Sequence, residues 1–426
     1  MSSLDNGAPL RHGPLTGRRV LELGSTVAGP FCGRMLADFG AEVIKVEPPE
    51  GDPVRTMGAH RDGHSLYAAS ILRNKKLICV DLHRPEGQDL VRALAGKCDV
   101  VVENFKPGTL ESWGLGWADL SRADPRLIMV RISGFGQDGP YAKRPGYGVI
   151  CEAVSGLRHL TGDPDRAPSR VGVSMTDYIA GLHGALGAVL ALTAREHTGR
   201  GQLVDTALYE AAFNFMEPWI PAYDKLGFVA SRTGSRLEGS TPNNLYPTGD
   251  GSFIHITAMA NSLFRRLAAA MGQPQLGVDS RFAEPAARNR NHAELDAIIG
   301  RWTQAHNLED LEAVLNKAAV PATRIFTIAD IFRDPHYRAR KAIVDVPDQH
   351  LGSVAMAAVV PRLSATPGDV RHSGHDIGQD TRDVFAELLG FDEARLTALA
   401  REAVIVCGEP DAGLPAVRAA AGRAMP

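Results

Sequence analysis

Buried strands and amphipathic helices alternate along the first half of the chain, and this alternation predicts its fold. Short runs rich in Val, Ile and Leu occur at RRVLELG (18–24) and AEVIKVE (41–47). Between them, FCGRMLADFG has the apolar spacing of a helix, with Pro30 near the start, where a helix tolerates proline. A strand, a helix and a second strand in this order predict a parallel pair joined by a right-handed crossover.

The same pattern repeats over residues 75–208. Further strands are predicted at KKLICVDL, DVVVEN, RLIMVRIS and QLVDTAL, with a helix that begins at Pro85. Strands that alternate with helices of about a dozen residues predict an α/β fold with a doubly wound open sheet. Ligands of such sheets bind beyond the carboxyl ends of the strands, where loops 25–30, 103–108 and 133–140 are shaped by Gly and Pro. We therefore expect a binding site at these loops.

The second half of the chain has a different pattern. A Gly-, Ser- and Pro-rich stretch (226–250) precedes a strand, SFIHITA, and several helices, and strand-like alternation returns over 341–360. These shifts predict a flexible tail at 1–16, the N-terminal part of a large domain at 17–225, a linker with a glycine-containing loop at 226–245, a small α+β domain at 246–340, a return to the large domain at 341–408 and a second flexible tail at 409–426.

The composition excludes several classes of partner and site. The chain has 46 Lys and Arg residues against 49 Asp and Glu residues and no basic stripe, so neither nucleic acid nor an anionic membrane is expected as a partner. Its five scattered cysteines form no CxxC pair, which is typical of free thiols in a reducing cytosol. The first residues lack the apolar core of a signal peptide, and the apolar stretch after Asp177 is interpreted as a buried helix. A cytoplasmic protein is therefore predicted.

One acidic residue, Asp177, stands out in the segment MTDYIAG (175–181). A turn-rich run precedes it and a long stretch of small and apolar residues follows, so a helix is predicted to begin here. Thr176 is the expected N-cap, which makes Asp177 the first helical residue. Free backbone N–H groups and the helix dipole favour negative charge there, so the carboxylate should be ionised and available as a nucleophile. The alternative is that Asp177 merely starts a helix.

Motifs of other enzyme classes are incomplete. Gly24, Gly29 and Gly33 follow the first strand and Glu47 ends the second, as in a nucleotide-dependent dehydrogenase. Their spacing is not GxGxxG, and Pro30 interrupts the turn, so an NAD-dependent dehydrogenase is only a distant alternative. The sequence contains no GxxxxGK[ST] phosphate loop, no GxSxG nucleophile turn and no HExxH motif, so no metal site is predicted.

The order and spacing of several segments resemble one known family. They are RRVLELGSTVAGPFCGRMLADFGAEVIKVEPPEGD, NKKLICVDLHRPEG, VVENFKPGTLESWGLG, ISGFGQDGPY, VGVSMTDYIAGLHGALGAVLAL and GRGQLVDTALYEA. Together they resemble the class III CoA-transferase (CaiB/BaiF) family. The resemblance implies a Rossmann-like large domain whose mostly parallel sheet is built from both chain ends, a smaller α+β domain, and a homodimer of interlocked subunits.

The resemblance also implies the chemistry. Asp177 matches the family's nucleophile, which attacks an acyl-CoA donor to form a mixed anhydride and then an aspartyl-CoA, before a carboxylic acid acceptor takes the CoA. Backbone N–H groups around Val27 and Ala28 are expected to stabilise the oxyanions. The run 233–241 resembles the family's mobile loop, with fewer glycines than in formyl-CoA transferase. Coenzyme A enters as a thioester substrate, and no permanently bound cofactor is implied.

The expected CoA contacts follow from the same match. They are Thr26, Val80, Leu82, His83, Asn104, Phe105 and Tyr147. His83 stands where relatives usually carry Lys, and Pro48 where several carry Arg, so Arg84 or Lys75 is the candidate for a replacement phosphate contact. For Phe105, packing in the core is the alternative.

A racemase of 2-methylacyl-CoA is the nearest alternative within the family. Racemases of the family carry a His in a GHD motif, where this chain has Tyr147 followed by Gly148. A tyrosine, with an ordinary pKa of about 10, is a poor partner base for transfer of an α-proton near neutral pH. Transferase chemistry is therefore favoured.

The acid substrates leave a weaker signal. GYGVICEAVSGLRHLTG and SRVGVSMTD look closer to the succinyl-CoA-using dicarboxylate transferases than to the formyl and oxalate enzymes. A dicarboxylate needs a cation for its distal carboxylate. Arg55, Arg144 and Arg170 are the candidates, each with an alternative role at the surface or against CoA.

Overall fold

The computed structural model describes residues 13–408, which fold into two compact units. The larger unit contains residues 13–157, 172–220 and 339–408, and the smaller unit contains 158–171 and 221–338. The smaller unit therefore includes the stretch 226–245, expected to be a linker, and also residues 158–171, expected in the large domain. The two predicted tails lie mostly outside the described residues.

The secondary structure has the following bounds. The strands are β1 Arg19–Glu22, β2 Glu42–Glu47, β3 His60–Arg61, β4 His64–Ser65, β5 Lys75–Val80, β6 Val100–Glu103, β7 Ile128–Ser133, β8 Leu203–Ala207, β9 Asn243–Pro247, β10 Phe253–Thr257, β11 Ala322–Arg324, β12 Ile343–Asp348, β13 Gly352–Ala357 and β14 Ile405–Val406. The helices are α1 Ala28–Asp38, α2 Leu66–Ile71, α3 Pro85–Ala95, α4 Thr109–Ser112, α5 Trp117–Ala123, α6 Gly148–Val154, α7 Leu157–Leu160, α8 Met175–Thr198, α9 Leu208–Phe213, α10 Trp219–Leu226, α11 Asn261–Ala270, α12 Pro285–Arg290, α13 His292–Gln304, α14 Leu308–Lys317, α15 Ile328–Arg333, α16 Pro335–Ala339, α17 Thr381–Leu389 and α18 Glu393–Arg401.

The larger unit is built on a seven-stranded sheet with the order β14-β5-β2-β1-β6-β7-β8. Every neighbouring pair is parallel except β14 and β5. The predicted α/β fold with a large, mostly parallel sheet is confirmed. Counted in chain order, the parallel strands lie as 3-2-1-4-5-6, so the strand order reverses between β1 and β6. Ligands of doubly wound sheets bind at such a reversal, beyond the carboxyl ends of the strands.

Helices cover both faces of this sheet, whose strands are buried and mainly apolar on both sides. All six residues of β7, for example, are buried. One core packs α3, α17 and α18 on the sheet, through residues such as Leu94, Phe385 and Leu396. The other core packs α1, α8 and α9 on the opposite face, through Leu36, Ala188 and Ala211 among others. In this second core, α1 and α8 lie side by side on the same face of the sheet.

The smaller unit has its own core. Its sheet is antiparallel with the order β11-β10-β9. Helices α11, α13 and α14 pack on this sheet through residues that include Phe264, Ile299 and Leu311. The smaller unit thus combines an antiparallel sheet with packed helices.

Only one face of α8 is buried. Its small residues, among them Ala180, Ala188 and Ala191, face the sheet and α1. The opposite face exposes Leu186 and Leu190 by 53% and 59%. Within the described range, α8 is the one helix with the length and composition to cross a membrane. The prediction of a buried helix is therefore right for one face and wrong for the other.

Candidate functional site

Asp177 lies in the first turn of α8, but not at the predicted position. The helix begins at Met175 with Ser174 as N-cap, so Asp177 is the third helical residue and the N-cap assignment of Thr176 was wrong. The hydroxyl of Thr176 is buried and donates a hydrogen bond of 2.8 Å to the carbonyl oxygen of Gly148. The field of the helix N-terminus still favours the ionised carboxylate, because it acts across the first turn.

Gly148 allows the Asp177 carboxylate to lie against the start of α6. A Cβ atom at Gly148 would be 1.9 Å from Oδ2 of Asp177, 2.8 Å from its Cγ and 2.9 Å from Oγ1 of Thr176. Real Cβ atoms essentially never approach another heavy atom within 3.0 Å. The carboxylate therefore occupies the space that any other side chain would need. In the sequence, Gly148 stands out only as a departure from the racemase motif.

A second glycine joins the Asp177 helix to the loop that follows β1. Gly181 is one turn after Asp177, and a Cβ atom there would be 2.7 Å from the carbonyl oxygen of Ala28 and 3.0 Å from Cδ1 of Phe31. α8 and the start of α1 are thus in close contact at this point. The structure brings together the two segments that the sequence analysis assigned to the nucleophile and to the oxyanion contacts.

The loop after β1 is held in shape by two side chains from elsewhere in the chain. Asn104 accepts a hydrogen bond of 2.7 Å from the Ser25 backbone N–H and donates one of 3.0 Å to the Ser25 carbonyl oxygen. Thr26 has a left-handed backbone, with φ at 68°, and its N–H donates to Oδ1 of Asp52 at 2.9 Å. Val27 is the buried N-cap of α1. Asn104, predicted to contact CoA, therefore also orders this loop.

Buried charged side chains hold the loop after β1 in place. Lys45 lies 2.8 Å from Oδ2 of Asp52 and 3.3 Å from Glu22, and it donates to the Gly24 carbonyl oxygen at 2.5 Å. Burial alone would lower the pKa of Lys45, but the surrounding carboxylates outweigh it and raise that pKa. Lys75 is fully buried, 2.7 Å from Glu22, so it cannot be a phosphate contact as the sequence suggested. Its ammonium instead pairs with the buried carboxylate of Glu22 and so helps to hold the loop.

Two tyrosines that the sequence analysis missed lie beside Asp177. The hydroxyls of Tyr67 and Tyr178 are 2.8 Å apart, and the ring of Tyr178 packs edge-on against Phe31 at 4.8 Å. Burial, followed by the hydrogen bond to Tyr178, raises the pKa of Tyr67. Burial and then the charge of Asp177 raise the pKa of the Cys151 thiol to about 11. Tyr178 was detectable as the neighbour of Asp177, whereas no local signal marked Tyr67.

The remaining predicted CoA residues differ in accessibility. Val80 is buried in the core, and Leu82 and Phe105 pack against that core partly buried. Phe105 and the exposed His83 both meet the ring of Trp113 edge-on, at 5.4 Å and 6.0 Å. Tyr147, the N-cap residue of α6, is 74% exposed. Arg84 donates a hydrogen bond to the Glu402 carbonyl oxygen. The side chain of Val80 is thus closed to a ligand, while His83 and Tyr147 are open to one.

The arginines predicted to meet a distal carboxylate have other partners. Arg55 lies 3.0 Å from the buried Glu47 and donates to the His375 carbonyl oxygen at 2.9 Å. The guanidinium of Arg144 lies over the ring of Tyr141, 3.6 Å from its centroid. Arg170 is an exposed residue of the smaller unit. None of the three is placed by these contacts beside Asp177.

One group of potential metal ligands was not predicted. His64, His350 and Asp376 each offer a ligand atom, and these atoms lie within 4.8 Å of one another. The rings of His64 and His350 stack at 3.9 Å, and Nε2 of His350 is 2.9 Å from Asp376. Its members are far apart in the chain, so no local spacing in the sequence reveals the group.

Comparisons with known proteins agree with this arrangement. The sequence model of CoA-transferase family III matches residues 15–381. The chain is 50% identical to a succinyl-CoA–D-citramalate CoA-transferase of Chloroflexus aurantiacus, over 92% of this chain and 98% of that protein. It is 40% identical to the β subunit of a succinyl-CoA–L-malate CoA-transferase of the same organism, again over 92% and 98%.

A solved structure shares the fold. The chain is similar to a CaiB/BaiF family protein from Brucella suis, with a TM-score of 0.80 and 35% sequence identity. The match covers 89% of this chain and 100% of that protein. The resemblance found in the sequence is therefore confirmed across both units of the chain.

Proposed function

We propose that this chain, which belongs to CoA-transferase family III, moves CoA from succinyl-CoA to a small dicarboxylic acid of the malate type. Its similarity to CoA-transferases at 50% and 40% identity over most of its length makes it a CoA-transferase acting between an acyl-CoA and a dicarboxylic acid. Both relatives are named for succinyl-CoA as donor, and for D-citramalate or L-malate as acceptor. This similarity leaves the racemase and dehydrogenase alternatives without support.

Asp177 is the proposed nucleophile. One of its carboxylate oxygens attacks the thioester carbonyl of succinyl-CoA, the C–S bond breaks, and a mixed anhydride and the CoA thiolate form. The thiolate then attacks the aspartyl carbonyl and releases succinate, which leaves an aspartyl-CoA thioester. The acceptor carboxylate attacks that thioester to form a second anhydride, and the thiolate takes the acceptor acyl group and restores Asp177. Covalent relay divides one difficult exchange into easier steps.

The observation that carries this proposal is the close contact between the Asp177 helix and the loop after β1. The carboxylate lies against Gly148, and Gly181, one turn further, touches the carbonyl of Ala28. The first N–H groups of a helix have no acceptor within the helix, so the amides around Val27 and Ala28 are suited to an oxyanion near Asp177. Asn104 and Asp52 accept hydrogen bonds from the preceding backbone N–H groups, those of Ser25 and Thr26, and so order the loop that leads into these amides.

Coenzyme A is proposed to bind beyond the carboxyl ends of the strands, along the predicted contacts. Thr26 belongs to the ordered loop, Asn104 binds that loop from just after β6, and the exposed ring of His83 lies at the edge of the Phe105–Trp113 pair. Tyr147 is the N-cap residue of α6 and directly precedes Gly148, against which the Asp177 carboxylate lies. We further propose that the enzyme works in the cytoplasm.

A homodimer of interlocked subunits is proposed from the exposed apolar surface of the larger unit. Leu182, Leu186 and Val189 of α8 line a groove of about 640 Å³, whose other wall includes Leu15 and Met35. Monomeric proteins rarely leave a contiguous apolar surface of this kind in water. A second copy of the chain is the occupant that the family resemblance suggests.

Steady-state kinetics test the covalent mechanism. With succinyl-CoA and L-malate varied together, a relay through Asp177 predicts parallel double-reciprocal lines. The variants D177N and D177A should lose the exchange by about 1,000-fold or more, as when a nucleophile is removed. The control D165N changes an exposed carboxylate of the smaller unit and should match the wild type. A D177N rate within tenfold of the wild type would overturn the proposal, as would intersecting lines.

A further inference from the structure

Two histidines and an aspartate of the larger unit meet at one small cavity. His64 lies in β4, His350 in the turn between β12 and β13, and Asp376 in the segment before α17. Their ligand atoms lie within 4.8 Å of one another, and Nε2 of His350 is 2.9 Å from Oδ2 of Asp376. Imidazole nitrogens together with a carboxylate oxygen are a donor set that suits Zn²⁺ and other divalent transition metals.

Helix α2 holds the three ligand segments together. His64 is two residues before this helix. The N–H of Gly374, two residues before the aspartate, donates a hydrogen bond of 2.9 Å to the carbonyl oxygen of Ala69 in α2. Ala69 also belongs to an apolar cluster with Val346 and Met356 of the β12–β13 hairpin. The three ligands are therefore brought together by the packing of the fold, and not only by the reach of their side chains.

The backbone at each ligand is also fixed locally. Residues 62–63 form the two-residue turn between β3 and β4, and their φ angles are 51° and 84°. Oδ1 of Asp348 accepts a hydrogen bond of 2.9 Å from the N–H of His350. The N–H of Asp376 donates one of 2.9 Å to Oε1 of Gln379. A metal ion at this place therefore requires rearrangement of side chains alone.

One ring has to turn before all three ligands can surround an ion. Ligand atoms about 2.0–2.1 Å from a tetrahedral Zn²⁺ lie about 3.3 Å from one another, close to the separation between His350 and Asp376. The rings of His64 and His350 are stacked, with 3.9 Å between centroids and 14° between planes, so one must tilt before both nitrogens point at one ion. Within residues 13–408 no hydrogen bond holds the ring nitrogens of His64, so this ring is the one that can turn.

The surroundings suit a cation and a water ligand. The cavity has a volume of about 150 Å³, and the carboxylate of Asp348 lines it beside the three ligands. It is large enough for a water molecule, whose share of liquid volume is about 30 Å³. Arg55, which also lines the cavity, is paired with the buried carboxylate of Glu47 at 3.0 Å. The negative charge of the cavity carboxylates is therefore left to attract a cation.

We propose that His64, His350 and Asp376 bind one exchangeable Zn²⁺ ion, with a water molecule in the cavity as the fourth ligand. The two imidazoles leave their stack and surround the ion together with the carboxylate. The side chains of His350 and Asp376 are 36% and 49% exposed, so the ion enters from solvent and a chelator removes it. The bound ion joins the β3–β4 hairpin to the C-terminal part of the larger unit. The site is independent of the chemistry at Asp177.

Zinc titration of the full chain, prepared without a polyhistidine tag, tests the site. The protein is treated with EDTA, desalted and titrated with ZnCl₂ by isothermal titration calorimetry, and with MgCl₂ in parallel. The wild type should bind one Zn²⁺ per chain and no Mg²⁺, since imidazole ligands suit zinc and magnesium prefers oxygen. H64A, H350A and D376N should each weaken zinc binding by about 10- to 100-fold or more, because losing even an outer partner of a metal ligand has an effect of that size.

Hydrogen exchange shows whether the ion joins the two parts of the chain. With Zn²⁺ at about 100 times its dissociation constant, openings that release the ion should become up to about 100-fold rarer. Amides of residues 60–66 and 374–378 that exchange through such openings should slow accordingly. H64A should remove this protection from both segments.

A matched control separates this site from other histidines. H336A removes an exposed histidine of the smaller unit and should leave the zinc affinity unchanged. If one of the three ligand variants fails to fold, as judged by circular dichroism, the other two decide the matter. The absence of zinc binding by the wild type, binding that persists in the ligand variants, or an equal loss in H336A would overturn the site.

Discussion

Replacing Gly148 with alanine should move the nucleophile without removing it. The added methyl group would lie 1.9 Å from Oδ2 of Asp177 and 2.8 Å from its Cγ, whereas ordinary contacts are 3.4–4 Å. The backbone of α6 cannot easily retreat, because the Gly148 carbonyl accepts the 2.8 Å hydrogen bond of the buried Thr176. The flexible partner in this clash is the Asp177 side chain, so the carboxylate should turn away.

The size of the effect follows from that displacement. Restoring ordinary contact requires the carboxylate oxygen to move by about 1.5 Å, and misplacing a reacting group by about 1 Å can cost about 100-fold in rate. We expect kcat/KM of G148A to fall about 100-fold or more. The cost in unfolding free energy should be only about 1–3 kcal/mol, as for other overpacked sites. Activity should therefore be lost while the fold persists.

The assay combines initial rates of CoA exchange with thermal unfolding of the same samples. G300A is the control, since a Cβ atom at Gly300, inside α13 of the smaller unit, meets nothing within 4 Å. This variant should keep full activity and gain up to about 1 kcal/mol of stability from helix propensity. Wild-type kcat/KM in G148A would refute the placement of the carboxylate against α6.

Three other predictions concern the loop support, the thiol beside the nucleophile and the apolar groove. K45M leaves Asp52 buried without its cation, so denaturant unfolding should show a loss of about 3–5 kcal/mol, and a loss below about 1 kcal/mol would contradict the ion network. Because the pKa of Cys151 is raised from 9.0 to about 11, its alkylation by iodoacetamide should stay slow at pH 8 and increase toward pH 11. Rapid alkylation at pH 8 would contradict this prediction. The protonated thiol also stabilises the folded state below about pH 9, and this contribution to stability should disappear as the pH rises through about 11. L186E should convert the proposed dimer to monomers in sedimentation, whereas V278E, at an exposed position of the smaller unit, should not.

Much of the fold was predictable because the sheet is buried on both faces. Strands such as β7 are buried along their whole length and consist mainly of apolar residues, and the helix starts at Pro85 and near Pro30 are marked by proline itself. Domain boundaries were less predictable. Residues 158–171 join the smaller unit through contacts with distant segments, such as the hydrogen bond between the Gly234 N–H and the Gly162 carbonyl oxygen.

The site was predictable in its centre and less so in its surroundings. Asp177 has a local sequence context, but the helix start was misplaced because the Thr176 hydroxyl bonds to Gly148 instead of capping its own helix. Lys75 was misjudged because a lysine in a strand gives no sign of a buried carboxylate partner. Tyr67 meets Tyr178 only through tertiary packing, so no pattern along the chain reveals the pair.

Covalent trapping at Asp177 tests the central claim most directly. The enzyme is incubated with succinyl-CoA, treated with neutral hydroxylamine, digested and examined by mass spectrometry, with D177A treated in parallel. The account predicts one hydroxamate, on the peptide that contains Asp177, and none in D177A. Modification of another residue, or an unmodified Asp177 peptide under conditions in which the enzyme turns over, would contradict the covalent mechanism.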